Sequence, residues 1–399
     1  MKKKILFLGG SPYQTPPIKY ARQQGHYIIT CDYLPDNPGH KLADEYHNVS
    51  TIDKDAVLEL ATRLKIDAVV AYGSDPAAPT CAYVAEKLNL PGNPVKSVDI
   101  LTRKDLFREF LSKHNFNVPW HSSFSSYEEA ESYFKTISGP AMLKPVDGSG
   151  SKGVSKVSSI DQFLPAFNYA LSFSRVKKVI IEQFIERKDM QIAGDGFVLN
   201  GKLVFRCFGK EHFDRVGNPF APVGESFPLQ LPEAVHTQMH NDIERLMQLL
   251  DMKGGALNFD MTIDKNDTIY FLEIAPRGGG NLISEIIRYS TGIDMAKYVV
   301  DCALGLDCSD LRMYEKADFY SCYTLHSQQE GYFKDVIIHE SIRGNIVEEL
   351  LFIKRGDFVK SFENLGSSLG ELILRYDSAE EMIQKMDSMS DWVQIELME

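Results

Sequence analysis

The first hundred residues alternate short apolar runs with segments of helical periodicity. The apolar runs predict strands at residues 5–8, 27–31 and 68–72, and the segments between them predict helices at 18–24 and 55–65. Strands that alternate with helices form a parallel sheet with right-handed crossovers. The pattern therefore predicts an α/β fold whose amino-terminal part contains a parallel sheet.

Glycine and polar residues follow two of these predicted strands directly. Ligands of open parallel sheets bind at the carboxyl ends of the strands. The candidates for substrate contact at these ends are Gly10, Ser11, Gly73, Ser74 and Asp75.

A turn-rich segment at residues 90–94 is a candidate domain boundary, and the pattern changes beyond it. The later segments predict helices at 99–114, 162–173, 234–250 and 379–387, strands at 141–157 and 179–183, and hairpins at 197–207 and 258–275.

The second hairpin brings two acidic residues together. With residues 266–267 as a two-residue turn, the register places Asp260 directly opposite Glu273 and points Leu272 towards the core. Facing carboxylates repel each other unless a cation lies between them, and oxygen ligands suit Mg²⁺. On the evidence of the hairpin alone, the alternative interpretation is a solvated edge of the sheet that carries two unrelated acids.

An arginine and three glycines follow this hairpin. Arginine binds carboxylates and phosphates through two parallel hydrogen bonds, and glycine lets a ligand approach the backbone closely. An ordinary glycine turn is the alternative. The candidates for substrate contact here are Arg277, Gly278, Gly279 and Asn281.

A glycine- and serine-rich loop follows the predicted strand that ends near Lys144. Its backbone N–H groups are suited to binding phosphates, although the loop is not a Walker A motif. A plain turn between strands is the alternative. The candidates for phosphate contact are Lys144, Gly148, Ser149, Gly150, Ser151 and Gly153.

An acidic residue, Glu182, lies inside the apolar strand 179–183. A buried carboxylate is costly without a partner. Glu182 therefore accepts either from an adenine amino group or from a nearby lysine such as Lys177 or Lys178.

Taken in order, these residues resemble the ATP-grasp superfamily, in the branch that contains carbamoyl-phosphate synthetase, biotin carboxylase and L-amino-acid ligases. The resemblance rests on Lys104, Lys144 with its loop, residues 182–185, Asp260 and residues 273–277. It implies a Rossmann-like pre-ATP-grasp domain (1–95), an ATP-grasp domain (96–306) with a mobile lid at about 120–185, and a carboxyl-terminal subdomain (307–399).

The resemblance also implies a role for each motif residue. Lys104 and Lys144 hold ATP phosphates, Asp260 and Glu273 bind Mg²⁺ or Mn²⁺, and catalysis falls to Arg277 and Lys144. The implied contacts to adenine and ribose are Glu182, Gln183, Phe184, Ile185 and Asp189.

One position departs from the family pattern. Ala275 stands where the family usually has an asparagine that binds metal. An alanine has no ligand oxygen, so the resemblance leaves three outcomes: a weaker second metal site, a site completed by water, or compensation by Asn281.

The activity implied is that of an ADP-forming carboxylate–amine ligase of the amino-acid type, acting through an acyl phosphate. Its substrate would bind among residues 73–75, Lys210, His212 and residues 277–281. A purine-biosynthesis or bicarbonate-activating ATP-grasp enzyme is the alternative. A nucleotide-dependent oxidoreductase is disfavoured because G-x-G-x-x-G is missing.

Charge and cysteine usage narrow the partners. A formal net charge of −12 argues against nucleic acid or an anionic membrane as a partner. The resemblance implies small-molecule carboxylates and amines as partners instead. Six scattered cysteines without a C-x-x-C pair, and an early apolar run too short for a signal peptide, predict a cytoplasmic protein. Whether the chain forms a homodimer stays open.

Overall fold

Four strands near the amino terminus form a parallel sheet. The structure is a computed structural model that describes residues 2–214 and 218–398. Its first domain contains β1 (Lys4–Leu8), α1 (Thr15–Gln23), β2 (Tyr27–Cys31), β3 (Glu45–His47), α2 (Lys54–Leu64), β4 (Ala68–Val70) and α3 (Ala78–Lys87). The strand order β3-β2-β1-β4 is parallel throughout, so the predicted α/β start is confirmed.

Two helices replace the single helix predicted at 99–114. They are α4 (Val95–Thr102) and α5 (Lys104–Lys113). Arg103 between them is extended, with φ −122° and ψ 107°. The Lys104 amide donates to the Val146 carbonyl at 2.8 Å instead of continuing the first helix. This break places Lys104 at the first position of α5.

The next segment folds into a small α/β unit, which we call the lid. It contains β5 (His121–Phe124), α6 (Tyr127–Phe134), β6 (Ala141–Pro145), β7 (Ser155–Val157), α7 (Ile160–Phe173) and β8 (Val179–Gln183). Its strands pair antiparallel in the order β5-β8-β6-β7, and both helices pack on this sheet through apolar side chains.

An eight-stranded sheet dominates the rest of the chain. Its elements up to residue 303 are β9 (Arg187–Leu199), β10 (Lys202–Phe213), β11 (Pro222–Phe227), α8 (Glu233–Leu249), β12 (Gly254–Asp264), β13 (Ile269–Ala275), α9 (Ile283–Thr291) and α10 (Met295–Ala303). The turn between β9 and β10 contains Asn200 and Gly201, both with positive φ, as the Asn-Gly pair predicts.

The carboxyl-terminal strands continue the same sheet. The last elements are β14 (Phe319–Leu325), β15 (Gly331–Ile338), α11 (Glu340–Arg343), β16 (Ile346–Leu351), β17 (Phe358–Val359), β18 (Gly370–Tyr376), α12 (Ala379–Met386), α13 (Met389–Trp392) and β19 (Val393–Leu397). The large sheet runs β13-β12-β9-β10-β11-β14-β18-β16, and β17-β15-β19 form a smaller one. The division at residue 306 stays a prediction, although β14 pairs directly with β11 across it.

The long helix α8 covers one face of the large sheet. Its buried residues, Met239, Ile243, Leu246 and Met247, follow the i, i+4, i+7, i+8 spacing of an apolar helix face. They pack with Phe208 and Phe259 of the sheet in one core cluster. Among the described helices, none is long and apolar enough to cross a bilayer.

The β12–β13 register agrees with prediction at the acids and differs near the turn. Asp260 does pair with Glu273, but Met261 pairs with Phe271, because a bulge follows Asp260. The turn has three residues, since the Asp264 amide donates to the Thr268 carbonyl at 3.0 Å. The prediction that Leu272 points into the core was wrong: the bulge turns it towards a cleft, and Phe271 is buried instead.

Candidate active site

A cleft of about 460 Å³ lies where the large sheet, the lid and the amino-terminal domain meet. It brings together most of the candidate residues, although they are spread over more than 200 positions of the sequence. The predicted site residues that line it are Gly73, Asp75, Lys104, Lys144, Gly148, Ser149, Gly150, Ser151, Glu182, Gln183, Phe184, Ile185, Asp260, Glu273, Arg277 and Asn281.

Lys210 and His212, predicted as substrate contacts, lie on the opposite face of the sheet. Both contact Asp387, at 3.4 Å from Lys210 Nζ and 3.2 Å from His212 Nδ1. Side chains alternate along a strand, so the residue of β10 that reaches the cleft is Glu211, which lies between them. The prediction chose the wrong face of this strand.

Seven other candidates line no part of the cleft: Gly10, Ser11, Ser74, Gly153, Asp189, Gly278 and Gly279. Gly10 packs against Gly39, and the Ser11 amide donates to Gln14 Oε1 at 2.9 Å. Asp189 is exposed, and its neighbours Arg187 and Gln191 line the cleft instead. Its assignment to ribose stays a prediction.

The facing acids have a lysine beside them. Lys104 Nζ lies 2.9 Å from Glu273 Oε2 and donates to the Gly148 carbonyl at 2.7 Å. Desolvation, reinforced by Glu273, raises the pKa of Asp260 to about 7. Within the described residues no group of three or more His, Cys, Asp or Glu side chains is arranged for a metal. Two carboxylates suit Mg²⁺, which usually takes one or two carboxylate ligands and completes its shell with phosphate oxygens and water.

Glu182 is buried and holds two cations. It accepts from Lys144 Nζ and, at 3.0 Å, from Arg108 Nε. Although burial opposes ionisation, Arg108 and Lys144 lower the pKa of Glu182 to about 2. The lysine partner is thus Lys144, not Lys177 or Lys178; Lys178 contacts Asp105 at 3.0 Å.

Sequence reasoning missed Arg108, a fully buried residue of α5. Besides Glu182, it donates to the carbonyls of Phe271 and Leu272, at 3.2 and 2.9 Å. Arg108 therefore links the lid strand β8 to β13, next to Asp260 and Glu273. An arginine on an amphipathic helix carries no signal of burial, so only the fold reveals it.

Arg277 is held in a fixed orientation by the amino-terminal domain. Its Nε and Nη2 donate to the two carboxylate oxygens of Asp75, at 2.8 and 2.6 Å. Asp75 therefore orients Arg277 rather than being free to bind substrate. Arg277 and Gly278 belong to a loop that is anchored by a second acid, Asp195.

Asp195 is fully buried on β9. It accepts from the Gly279 amide at 2.9 Å and from Ser284 Oγ at 2.6 Å. A Cβ on Gly279 would lie 2.9 Å from Asp195 Oδ1 and 2.8 Å from Ile283 Cβ. The glycine is thus needed for close packing of the loop, and its contact with substrate stays a prediction.

Three buried acids near the carboxyl-terminal strands were also missed: Glu211, Glu225 and Glu371. Glu371 stands next to the apolar run at residues 372–374, which is the kind of signal that identified Glu182. Glu211 lies between Lys210 and His212, and Glu225 between Gly224 and Ser226, so their neighbours carry no such signal. Glu371 accepts from Tyr13 Oη at 2.9 Å and from Thr324 Oγ1 at 3.1 Å. Burial, with Glu225 second, raises the pKa of Glu371 to about 8.

This raised pKa predicts that the protein loses stability as the pH rises. The folded state keeps the Glu371 proton up to about pH 8, whereas the unfolded chain releases it near 4.5. The folded state therefore binds more protons between these values, and its stability falls across that window. We expect the melting temperature to fall less between pH 5.5 and 8.5 in Glu371→Gln, measured by circular dichroism.

Glu340→Gln is the matched control, since the Glu340 side chain is 87% exposed. An equal fall in wild type, control and Glu371→Gln would contradict the assignment of the proton to Glu371.

Comparison with known proteins decides the fold. The family model described as "D-ala D-ala ligase C-terminus" matches residues 114–300. The structure of L-amino acid ligase from Bacillus licheniformis superposes with a TM-score of 0.83 at 20% identity, covering 100% of this chain and 99% of that one. The chain has the ATP-grasp fold. The ATP-grasp resemblance seen in the sequence is thereby confirmed.

Two curated ATP-grasp relatives show moderate sequence identity. Formate-dependent phosphoribosylglycinamide formyltransferase of Prochlorococcus marinus (strain NATL2A) is 26% identical over 284 residues, covering 69% of this chain and 70% of that protein. Carbamoyl phosphate synthase large chain of Thermoanaerobacter sp. (strain X514) is 25% identical over 236 residues, 58% of this chain. The match spans only 21% of the length of that synthase.

Proposed function

We propose that this protein is an ADP-forming ligase that uses ATP and Mg²⁺ to join a carboxylate to an amine through an acyl phosphate. The observation that carries the proposal is the Asp260–Glu273 pair, with Lys104, Lys144 and Arg277 lining the same cleft. Two acids for a metal and three cations for phosphate oxygens are the groups that phosphoryl transfer requires.

Each of these side chains has a task in the proposed reaction. Lys104 and Lys144 bind and orient the ATP phosphates, and Asp260 and Glu273 would hold the metal. Mg²⁺, when bound, neutralises charge on the transferring phosphoryl group. Arg277, fixed by Asp75, is suited to binding the substrate carboxylate or the acyl phosphate through its remaining N–H groups.

The lid provides a way to exclude water from this reaction. The segment 148–151 lines the cleft, and Ser151 Oγ donates to the Phe220 carbonyl at 2.6 Å, so the loop reaches the β10–β11 connection. Excluding water protects an acyl phosphate from hydrolysis before the amine attacks. Manganese in place of magnesium, a cytoplasmic location and a homodimeric state stay predictions.

A purine-biosynthesis ATP-grasp enzyme is the second candidate, and the relative from Prochlorococcus marinus that is named a phosphoribosylglycinamide formyltransferase supports a ribonucleotide substrate. A ribonucleotide substrate carries a phosphate and needs cationic groups to bind it. The cleft wall formed by β10 and β11 instead presents Glu211 and Glu225. This acidic wall favours the carboxylate–amine ligase.

Product identity tests the proposal. With a carboxylate and an amine that support turnover, we expect ADP and phosphate to form in equal amounts, and hydroxylamine to trap the acyl group as a hydroxamate. Formation of AMP and pyrophosphate would show that the reaction proceeds through an adenylate, and the acyl-phosphate proposal would be wrong.

A further inference from the structure

A second pair of facing acids lies on the sheet that carries Asp260 and Glu273. Glu211 of β10 is directly opposite Glu225 of β11. Both line the cleft, and they are only 9% and 2% exposed. Like charges in directly opposed positions destabilise a sheet, so this arrangement carries a cost in the absence of a cation.

Three other acids of the cleft have cationic partners, whereas Asp260 accepts from Gln191 Nε2 at 2.9 Å. Asp75 binds Arg277, Glu273 contacts Lys104, and Glu182 accepts from Lys144 and Arg108. The charges of these three acids are therefore balanced by groups of the protein itself.

The second pair has no comparable partners in the described part of the chain. Glu225 accepts from Cys322 Sγ at 2.7 Å and interacts with the Asn281 side chain, both uncharged donors. Burial raises the pKa of Glu225 to about 7, as expected for a carboxyl group that has no cation beside it.

Within residues 2–214 and 218–398, one oxygen of the pair has no hydrogen-bond partner. Glu211 Oε2 is buried without a partner, while Gln191 interacts with the same carboxylate. Burial, followed by the charges of Asp260 and Glu225, raises the pKa of Glu211 well above its usual value. Arg187 opposes this rise, but its guanidinium lies 4.6 Å from the Phe213 ring centroid and donates to Gln191 Oε1. A buried acceptor that lines a cleft and has no partner points to a ligand that donates to it.

We infer that Glu211 and Glu225 bind the ammonium group of the substrate whose carboxylate is activated, so that this substrate of the proposed ligase is a small amino acid. This inference rests on the proposed function. Three N–H donors of an ammonium group match the carboxylate oxygens of the pair, and its charge removes their repulsion.

The position of the pair suits this role. Only β9 separates β10 from β12, so Glu211 and Asp260 lie about 10 Å apart at the backbone. An amino acid joined to a metal-bound phosphate is roughly this long. Asn281, which interacts with Glu225, belongs to the loop that carries Arg277. The arginine and the acid pair therefore border the same part of the cleft.

A binding experiment tests the inference without requiring turnover. The common L-amino acids, each paired with its N-acetyl form, would be titrated calorimetrically into the protein saturated with MgADP. We expect at least one amino acid to bind about 10- to 100-fold more tightly than its acetylated form, since each hydrogen-bonded charge contributes that much. Glu225→Gln and Glu211→Gln should each remove most of this preference.

The matched control is Glu340→Gln, because the Glu340 side chain is exposed. This variant should keep the preference for the free amino acid over its N-acetyl form. Circular dichroism checks that the variants fold, and removal of one of two facing acids should not lower the melting temperature. Unchanged MgADP affinity in Glu225→Gln would separate the pair from the metal site; weakened MgADP affinity would overturn the inference.

Two further results would also overturn it: no amino acid binds more tightly than its N-acetyl form, or the preference survives in both variants. Neither result would contradict the ligase proposal, because ADP and hydroxamate formation can be measured separately with carboxylates that have no ammonium group. Conversely, an amino acid that binds through Glu225 without supporting ADP formation would support the inference and rule out the proposed ligase function.

Discussion

Asp260→Asn is expected to reduce metal-dependent ATP turnover about 1000-fold or more, because the substitution removes an anionic ligand for the metal that neutralises the transferring phosphoryl group. The amide keeps the shape of the side chain, and its oxygen can still accept from Gln191 Nε2, which lies 2.9 Å from Asp260 Oδ1. The measurement is coupled-enzyme detection of ADP across a Mg²⁺ titration.

Stability should move in the opposite direction from activity. Desolvation and Glu273 both raise the pKa of Asp260, so the ionised carboxylate is disfavoured in the folded protein. Removing its charge relieves repulsion, and we expect the melting temperature to stay level or rise in metal-free buffer. This combination distinguishes loss of a ligand from loss of the fold.

Asp267→Asn is the matched control, since it removes the same charge from the same hairpin at a side chain that is 72% exposed. It should keep wild-type turnover. Full activity in Asp260→Asn would show that the metal is bound elsewhere.

Lys144→Met is expected to weaken ATP binding about 10- to 100-fold, because a single hydrogen-bonded charge contributes roughly this much. The Lys144 side chain is only 13% exposed and is oriented towards the cleft by Glu182. Glu182 keeps Arg108 as a partner in the variant, so the buried carboxylate is not left without a cation. The measurement is calorimetric titration with a non-hydrolysable ATP analogue.

Lys135→Met provides the comparison within the lid, because Lys135 follows the last residue of α6, is 57% exposed and pairs with Glu131 of that helix. Its nucleotide affinity should match that of the wild type. If Lys144→Met bound the analogue as tightly as Lys135→Met, Lys144 would have no role in holding phosphates.

Local pattern predicted much of the secondary structure. The strand β2 was predicted at its observed bounds, and the hairpins around Asn200-Gly201 and at residues 258–275 are both present. These features depend on neighbours in sequence: alternation, turn residues and helical periodicity. The break at Arg103 was missed because the Lys104 amide bonds Val146, more than forty residues away.

The motif residues were found for a similar reason. Lys144, Glu182, Asp260 and Arg277 are charged residues in apolar or glycine-rich surroundings, where a structural role is costly. The cleft brings all four together. Their assigned roles stay predictions until the variants are measured.

The sequence by itself determined the order of elements and the pairing of Asp260 with Glu273. The sequence did not determine which side chains of a strand point into the cleft, because a slip of one residue exchanges the two sides of a sheet. On β10 this reversal selected Lys210 and His212 in place of Glu211, and the bulge after Asp260 turned Leu272 towards the cleft.

Only the tertiary structure decided which charges have partners. Arg277 pairs with Asp75 across 202 positions of the chain, and Arg108 pairs with Glu182 across 74. Glu211 faces Glu225 because β10 and β11 pair in one particular register. Such pairings depend on how distant segments pack, and a linear pattern carries no record of them. The unbalanced acids of the cleft, and the ammonium group that we infer for them, became visible only in the folded chain.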